Sequence, residues 1–295
     1  MRWRPSRSIQ VEDRRGSGGF GGGLGGMRMG GGGIPIPVGG GIGGIVLVII
    51  IFVVMQFLGG GSGLGGPSAP GGVTGSLDPN DTQGQFINTV TVDVQTFWQQ
   101  AFEASGETYP TTVTVIFTDG TQTGCGVASS ATGPFYCPAD KKVYLDPGFF
   151  DELRTRFGAP GEFAQAYVIA HEYGHHVQDV LGTMDQVQQQ QTSGNANELS
   201  IRLELQADCL AGMWANWVST HPDQSDVESI TDADVRDGLN AAAAVGDDRI
   251  QEQATGTIDK ESWTHGSAEQ RMKWFNTGFK QGSLQACDTF EVASP

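Results

Sequence analysis

Apolar positions are spaced along this chain in three ways, and each spacing predicts a different kind of structure. Up to about residue 82 they are sparse and set among glycines, apart from one run, Ile42 to Leu58, in which Gln56 is the strongly polar member. At 17 residues, that run is just long enough to cross a bilayer as a helix. Beyond it a helical period takes over. Phe86, Val90, Val94, Phe97 and Ala101 recur on one face, predicting a helix over 84–104 that Ser105-Gly106 stops. Phe163, Ala166, Ala170, Gly174 and Val177 predict a second over 162–180, ending at Leu181-Gly182, and Leu203, Ala207, Leu210, Trp214 and Trp217 a third over about 198–218. Between the first two helices the pattern is extended. Residues 112–117 are β-branched and apolar before the turn Asp119-Gly120, and 142–145 alternate before Asp146-Pro147. Helices with a small sheet among them give an α+β class.

Composition turns this into a domain plan. Of the 45 glycines, 26 precede residue 76, and a stretch such as Gly18 to Gly33 buries too little apolar surface to offset its chain entropy. The expectation is therefore a Gly/Arg-rich disordered segment at 1–40, one transmembrane helix at 41–59, a flexible linker at 60–82 and a folded domain at 83–295. Six arginines precede the apolar run against two acids, which keeps the N-terminus on the cytoplasmic side and puts the domain outside the cytoplasmic membrane. A cleaved signal peptide fits less well, because the charged region before the run is too long.

After the run the balance reverses to 11 basic and 31 acidic residues, a net −20, which makes nucleic acid an improbable partner. All four cysteines lie in this part. An even count in an oxidising compartment suggests two disulfides, most simply Cys125 with Cys137 and Cys209 with Cys287, although three pairings are open.

The chemistry concentrates in Ala170-His171-Glu172-Tyr173-Gly174-His175. Residues four apart on a helix sit one turn above each other, so His171 and His175 can aim ring nitrogens at one Zn²⁺. Glu172 projects beside that metal, where it can take a proton from water and pass it to a leaving amine. Gly174 costs helix propensity, which suggests that another backbone packs against it. Two histidines do not complete a zinc site. In the extended three-histidine pattern a glycine and a third histidine follow, but Gln178 and Leu181 stand there, so the third ligand is a carboxylate on another helix. Glu204 is favoured, because Asp208 one turn on could accept the free N–H of a ligating imidazole; Glu198 is the alternative. His265, in the small-residue turn Thr264 to Ser267, could donate to an oxyanion, while Arg271 orients substrate or pins the turn. His221 reads as a loop residue, and His176 as lying off the ligand face.

Taken together, Val11 to Gly16, Gly133 to Pro138, Ala166 to Gln178, Glu204 to Cys209, Gly246 to Arg249 and Thr264 to Phe275 resemble the neutral zinc metallopeptidase family of bacterial membrane-anchored proteins. The likeness covers nearly the whole chain outside the glycine-rich tether. It implies a zincin-like fold with His171, His175 and Glu204 as ligands and Glu172 as general base. The E-x-x-A-D segment and the later His/Arg turn also resemble membrane-linked gluzincins of the heat-shock and prenyl-protease type, which are multi-span. The expected function is therefore a membrane-anchored zinc metalloendopeptidase acting on peptide or protein substrates. A non-catalytic, zinc-stabilised, membrane-tethered binding module is the competing expectation. It is weakened by Glu172, since a structural zinc needs no base beside its ligand.

Overall fold

The computed structural model describes residues 1–16, 77–192 and 194–295. The apolar run lies outside them, and no described helix is long and apolar enough to cross a membrane. The strands are β1 (Arg2–Trp3), β2 (Val11–Asp13), β3 (Thr114–Ile116), β4 (Gly120–Thr123), β5 (Gly126–Ser129), β6 (Phe135–Cys137), β7 (Lys142–Leu145) and β8 (Val227–Ser229). The helices are α1 (Thr82–Ala104), α2 (Gly148–Thr155), α3 (Glu162–Val180), α4 (Thr183–Gln190), α5 (Ala196–Thr220), α6 (Asp232–Ala244), α7 (Asp247–Thr255) and α8 (Ala268–Gln281). The architecture is α+β, and the three helices expected from periodicity form within two residues of their predicted bounds.

The main sheet has the order β2-β3-β7-β6, with β2, β3 and β7 parallel and β6 antiparallel to β7. Its first strand comes from the segment expected to be disordered. In residues 1–16, β2 aligns Val11, Glu12 and Asp13 with Thr114, Val115 and Ile116, and β1 pairs with β8. The expectation fails here because glycine dominates only from Gly16 onward. Residues 1–15 contain no glycine and carry Trp3, Ile9 and Val11 instead. The folded body also starts earlier than residue 83, since Leu77 is buried in the core.

Two close helix contacts organise the rest. At Gly174 a Cβ would meet the Cα and carbonyl oxygen of Ala207 at 3.0 Å, so α3 and α5 touch backbone to backbone, as the misplaced glycine suggested. On the other side of α5, Gly212 and Gly278 let α8 approach so closely that a Cβ at either would strike the carbonyl oxygen of Phe275 or Cys209. Phe163 stacks parallel to Trp214 at 6.1 Å, and Phe275 meets Phe163 and Tyr167 edge-on, so one aromatic core joins α3, α5 and α8. The buried Asp93 of α1 accepts from Trp214 Nε1 at 2.9 Å and Ser225 Oγ at 2.7 Å, tying α1 to α5 and to the segment before β8. Two disulfides complete the frame. Cys125 bonds to Cys137, anchoring the β4–β5 hairpin to β6, and Cys209 to Cys287, anchoring α5 to the C-terminal segment.

Gly174→Ala tests the close contact. Helix propensity alone would make this change stabilising by about 1 kcal/mol. Overpacking against Ala207 should outweigh that gain and leave the protein about 1–3 kcal/mol less stable by denaturant unfolding. Unchanged or increased stability would show that α3 and α5 can separate at no cost.

Candidate metal centre

His171 and His175 lie in the middle of α3 on the face turned toward α5, and Glu204 meets them from α5. The Glu204 carboxylate lies 3.2 Å from His171 Nε2 through one oxygen and 3.5 Å from His175 Nε2 through the other. The three donor atoms fall within 4.8 Å of one another. Donors bound at roughly 2.0–2.2 Å to a tetrahedral zinc lie roughly 3.3–3.6 Å apart, close to the two distances from Glu204 to the imidazoles, and two imidazoles with a carboxylate are a donor set that zinc takes. The alternative carboxylate, Glu198, is turned away and pairs with Arg202 at 2.9 Å.

Each imidazole is held through its other nitrogen. His171 Nδ1 donates to Asp208 Oδ1 at 2.9 Å, the placement expected for Asp208. His175 Nδ1 donates to Gln178 Oε1 at 2.8 Å, while Gln178 Nε2 donates to the Leu203 carbonyl at 2.7 Å. Sequence reasoning used Gln178 only as evidence against a third histidine. Its signal was its place one turn along the ligand face. Asp208 is fully buried and carries a further burden, because Arg271 grips it with Nε at 2.8 Å and Nη2 at 2.9 Å. Tyr167 also donates to it. Arg271 thus pins α8 to the carboxylate behind His171.

These contacts set the charges. Burial opposes ionisation of Asp208, yet Arg271 and His171 hold its carboxyl below the ordinary range. Burial likewise opposes the Glu204 anion, and the imidazoles of His175, His265 and His171 hold it well below that range. The Asp208 and Glu204 carboxylates overcome burial to push His171 up to about 10.

Glu172 sits beside this group, buried, and the charge of Glu204 disfavours its ionisation. Burial raises its pKa, against the pull of both imidazoles and of the Tyr136 backbone N–H, which donates to it. Tyr136 belongs to β6, so the carboxylate and the sheet edge are locked together. His176, on the far face of α3, binds the Pro110 carbonyl at 2.8 Å and lies 3.1 Å from the Tyr136 hydroxyl, which places it off the ligand face as expected. His221 caps α5 at an exposed position.

His265 is brought in by a second acidic device. The Asp247 carboxylate accepts three successive backbone N–H groups, Thr264 at 2.8 Å, His265 at 2.6 Å and Gly266 at 3.0 Å, and lies 3.2 Å from His265 Nδ1. That leaves Nε2 to face the cavity His265 lines. Burial opposes charge on this ring, but Glu204 and Asp247 raise its pKa above the usual histidine value. Asp247 was not singled out as functional from sequence, although the Gly246 to Arg249 segment containing it was.

His171, Glu172, His175, Glu204, His265 and Arg271 all line one cavity of about 270 Å³. Its wall includes Gly133 to Tyr136 at the sheet edge, the Glu172 and His265 side chains and the apolar side chains of Phe149, Phe157, Val168, Val245 and Ile250. The edge strand expected within Gly133 to Leu145 is β6; β7 lies inside the sheet.

Comparisons with known proteins give the family of the chain. The chain is 42% identical to the uncharacterized protein YpfJ of Escherichia coli strain K12, over 98% of this chain and 99% of the relative. It is 52% identical to the uncharacterized protein Mb2605 of Mycobacterium bovis over 60% of this chain and 62% of that one, and equally so to Rv2575 of Mycobacterium tuberculosis. No solved structure matches. The family described as "Putative neutral zinc metallopeptidase" matches residues 1–290, and the chain belongs to it.

Proposed function

We propose that the chain is a zinc-dependent endopeptidase of gluzincin type, with His171, His175 and Glu204 as metal ligands. The observation that carries this reading is a carboxylate that holds no ligand position yet shares the open cavity with three metal-compatible donors. A purely structural metal would leave both Glu172 and the cavity without a role. The small sheet above an active-site helix, with an antiparallel edge strand along the cavity, supports a zincin-like arrangement. Zinc in this site would supply Lewis acidity, acidifying the attacking water and polarising the scissile carbonyl.

The chain's own residues do the rest. Glu172, anionic when it acts and aimed by the Tyr136 N–H, accepts the proton of the attacking water and returns it to the leaving amine. His265, oriented by Asp247 at Nδ1, offers an Nε2–H to the oxygen on which charge develops. Asp208 fixes the tautomer of His171, and Arg271 fixes Asp208. An extended peptide would lie along β6 and add to the sheet. The cavity wall carries Phe149, Phe157, Val168, Val245 and Ile250, so a large apolar substrate residue next to the cleaved bond is favoured. The two disulfides support an oxidising, extracytoplasmic compartment, and the run Ile42 to Leu58 supports attachment to the cytoplasmic membrane.

Zinc content and peptide cleavage of the full chain, measured side by side, test these assignments. Glu172→Gln should keep zinc and lose roughly 10²–10⁴-fold in rate. Glu204→Ala should lose zinc, and Glu198→Ala should not; the reverse would overturn the ligand choice. His265→Ala should keep zinc and lower kcat by about 10²-fold with KM little changed. Equal cleavage of peptides carrying Leu or Asp beside the scissile bond would refute the apolar preference, for which a Leu advantage of at least about tenfold is expected.

A further inference from the structure

The docking of residues 1–16 bears on how the chain meets a membrane, independently of what the metal centre does. Helix α1 presents fully buried polar side chains that serve the N-terminal backbone. Asn88 accepts from Gln10 N at 2.9 Å and donates to Ser8 O at 2.8 Å. Thr89 accepts from Ser6 N at 3.2 Å and donates to Arg4 O at 3.3 Å. Gln95 holds the Gln10 side chain and, at 2.7 Å, the backbone N–H of Thr112, just before β3. A helix face of Asn, Thr and Gln is out of place in a core unless a strand's worth of peptide groups is there to meet it.

Farther along, Glu12 is buried and bonded at 2.8 Å to Arg14 and 2.9 Å to Lys142 on β7. Arg14 also donates at 2.8 Å to the Gln122 carbonyl on β4, Arg15 pairs with Asp81, which caps α1, and Arg4 pairs with Asp226 at 3.1 Å. Partners on α1, β3, β4, β7 and the segment before β8 make this segment an inner part of the folded body. Its five arginines are among the charges that, on sequence alone, assigned the N-terminus to the cytoplasm. In the fold Arg4 and Arg15 pair with acids of the body, Asp226 and Asp81, while Arg14 pairs with Glu12 of the same segment and donates to the Gln122 carbonyl.

We infer that residues 1–16 and 77–295 lie on the same side of the membrane. The single-crossing topology expected from hydropathy and charge would put strand β2 and the sheet it belongs to on opposite sides of the bilayer. The positive-inside count gives the wrong answer because it treats as free the arginines that the fold consumes.

Cysteine accessibility in intact cells and spheroplasts decides the matter, since all four native cysteines are bonded and silent. Arg7→Cys and Gln224→Cys both replace exposed residues, one in each part. In the full-length chain, a membrane-impermeant maleimide should label the two to the same extent, within about twofold, from the same face. In a separate variant, Arg4→Cys with Asp226→Cys should form a cross-link in the cell. Labelling from opposite faces overturns the inference. So does failure of the cross-link in protein whose two native disulfides have formed.

Discussion

The centre depends on one buried ion pair. Asp208 and Arg271 are almost wholly out of water, and each would be intolerable there alone, because breaking such a pair by removing one partner costs about 3–5 kcal/mol. Together they join three helices at one point: Arg271 from α8, Asp208 from α5, and Tyr167 and His171 from α3. A hydrophobic trio could hold the helices as firmly, but it would not present an acceptor to His171 Nδ1. The charge is retained where it sets the orientation and basicity of His171, a candidate metal ligand.

That pair can form only because the helices come unusually close. Gly174 brings α3 against Ala207, one residue from Asp208, and Gly212 and Gly278 bring α8 against α5. A few tenths of an ångström more at either contact would stretch hydrogen bonds of 2.8–2.9 Å between side chains with no water to replace them. The glycines in the helices are thus part of the metal centre although none touches it. The Cys209–Cys287 bridge, next to Asp208, holds the same helix from its other side.

The ligand helix was legible in the sequence because its chemistry is local: four-residue spacing puts His171 and His175 on one face wherever the helix goes. Glu204 was legible because Asp208 follows at the same spacing, so two roles reinforced each other. Asp247 and Gln178 were not, since their value lies in what they meet. Asp247 gathers N–H groups seventeen to nineteen residues away in sequence, and Gln178 bridges to the Leu203 carbonyl. The largest miss was the N-terminal strand. A three-residue strand has no period to detect, and its partners on α1 are polar residues within a stripe that periodicity reads as apolar. Neighbouring glycines then coloured the reading of a segment that contains none before Gly16.

The recovered strand also decides which edge of the sheet is left for an extended chain. A four-stranded sheet has two edges, and an open edge pairs with whatever extended chain arrives. On the far side, β2 is supplied by the chain's own N-terminus and covers β3, which would otherwise be the edge. β2 is three residues long and carries the buried Glu12, which Arg14 and Lys142 neutralise only in the correct register. Short length and an inward charge are the devices by which edges resist further pairing. At the other end, β6 is fixed by the Cys125–Cys137 bridge, by Tyr136 to Asp179 at 2.7 Å and by the Tyr136 N–H on Glu172, and the cavity runs along it. One edge is therefore closed by the chain itself, while the other is held rigid beside the metal-compatible group. Under the peptidase function proposed above, a substrate strand would be directed to that second edge.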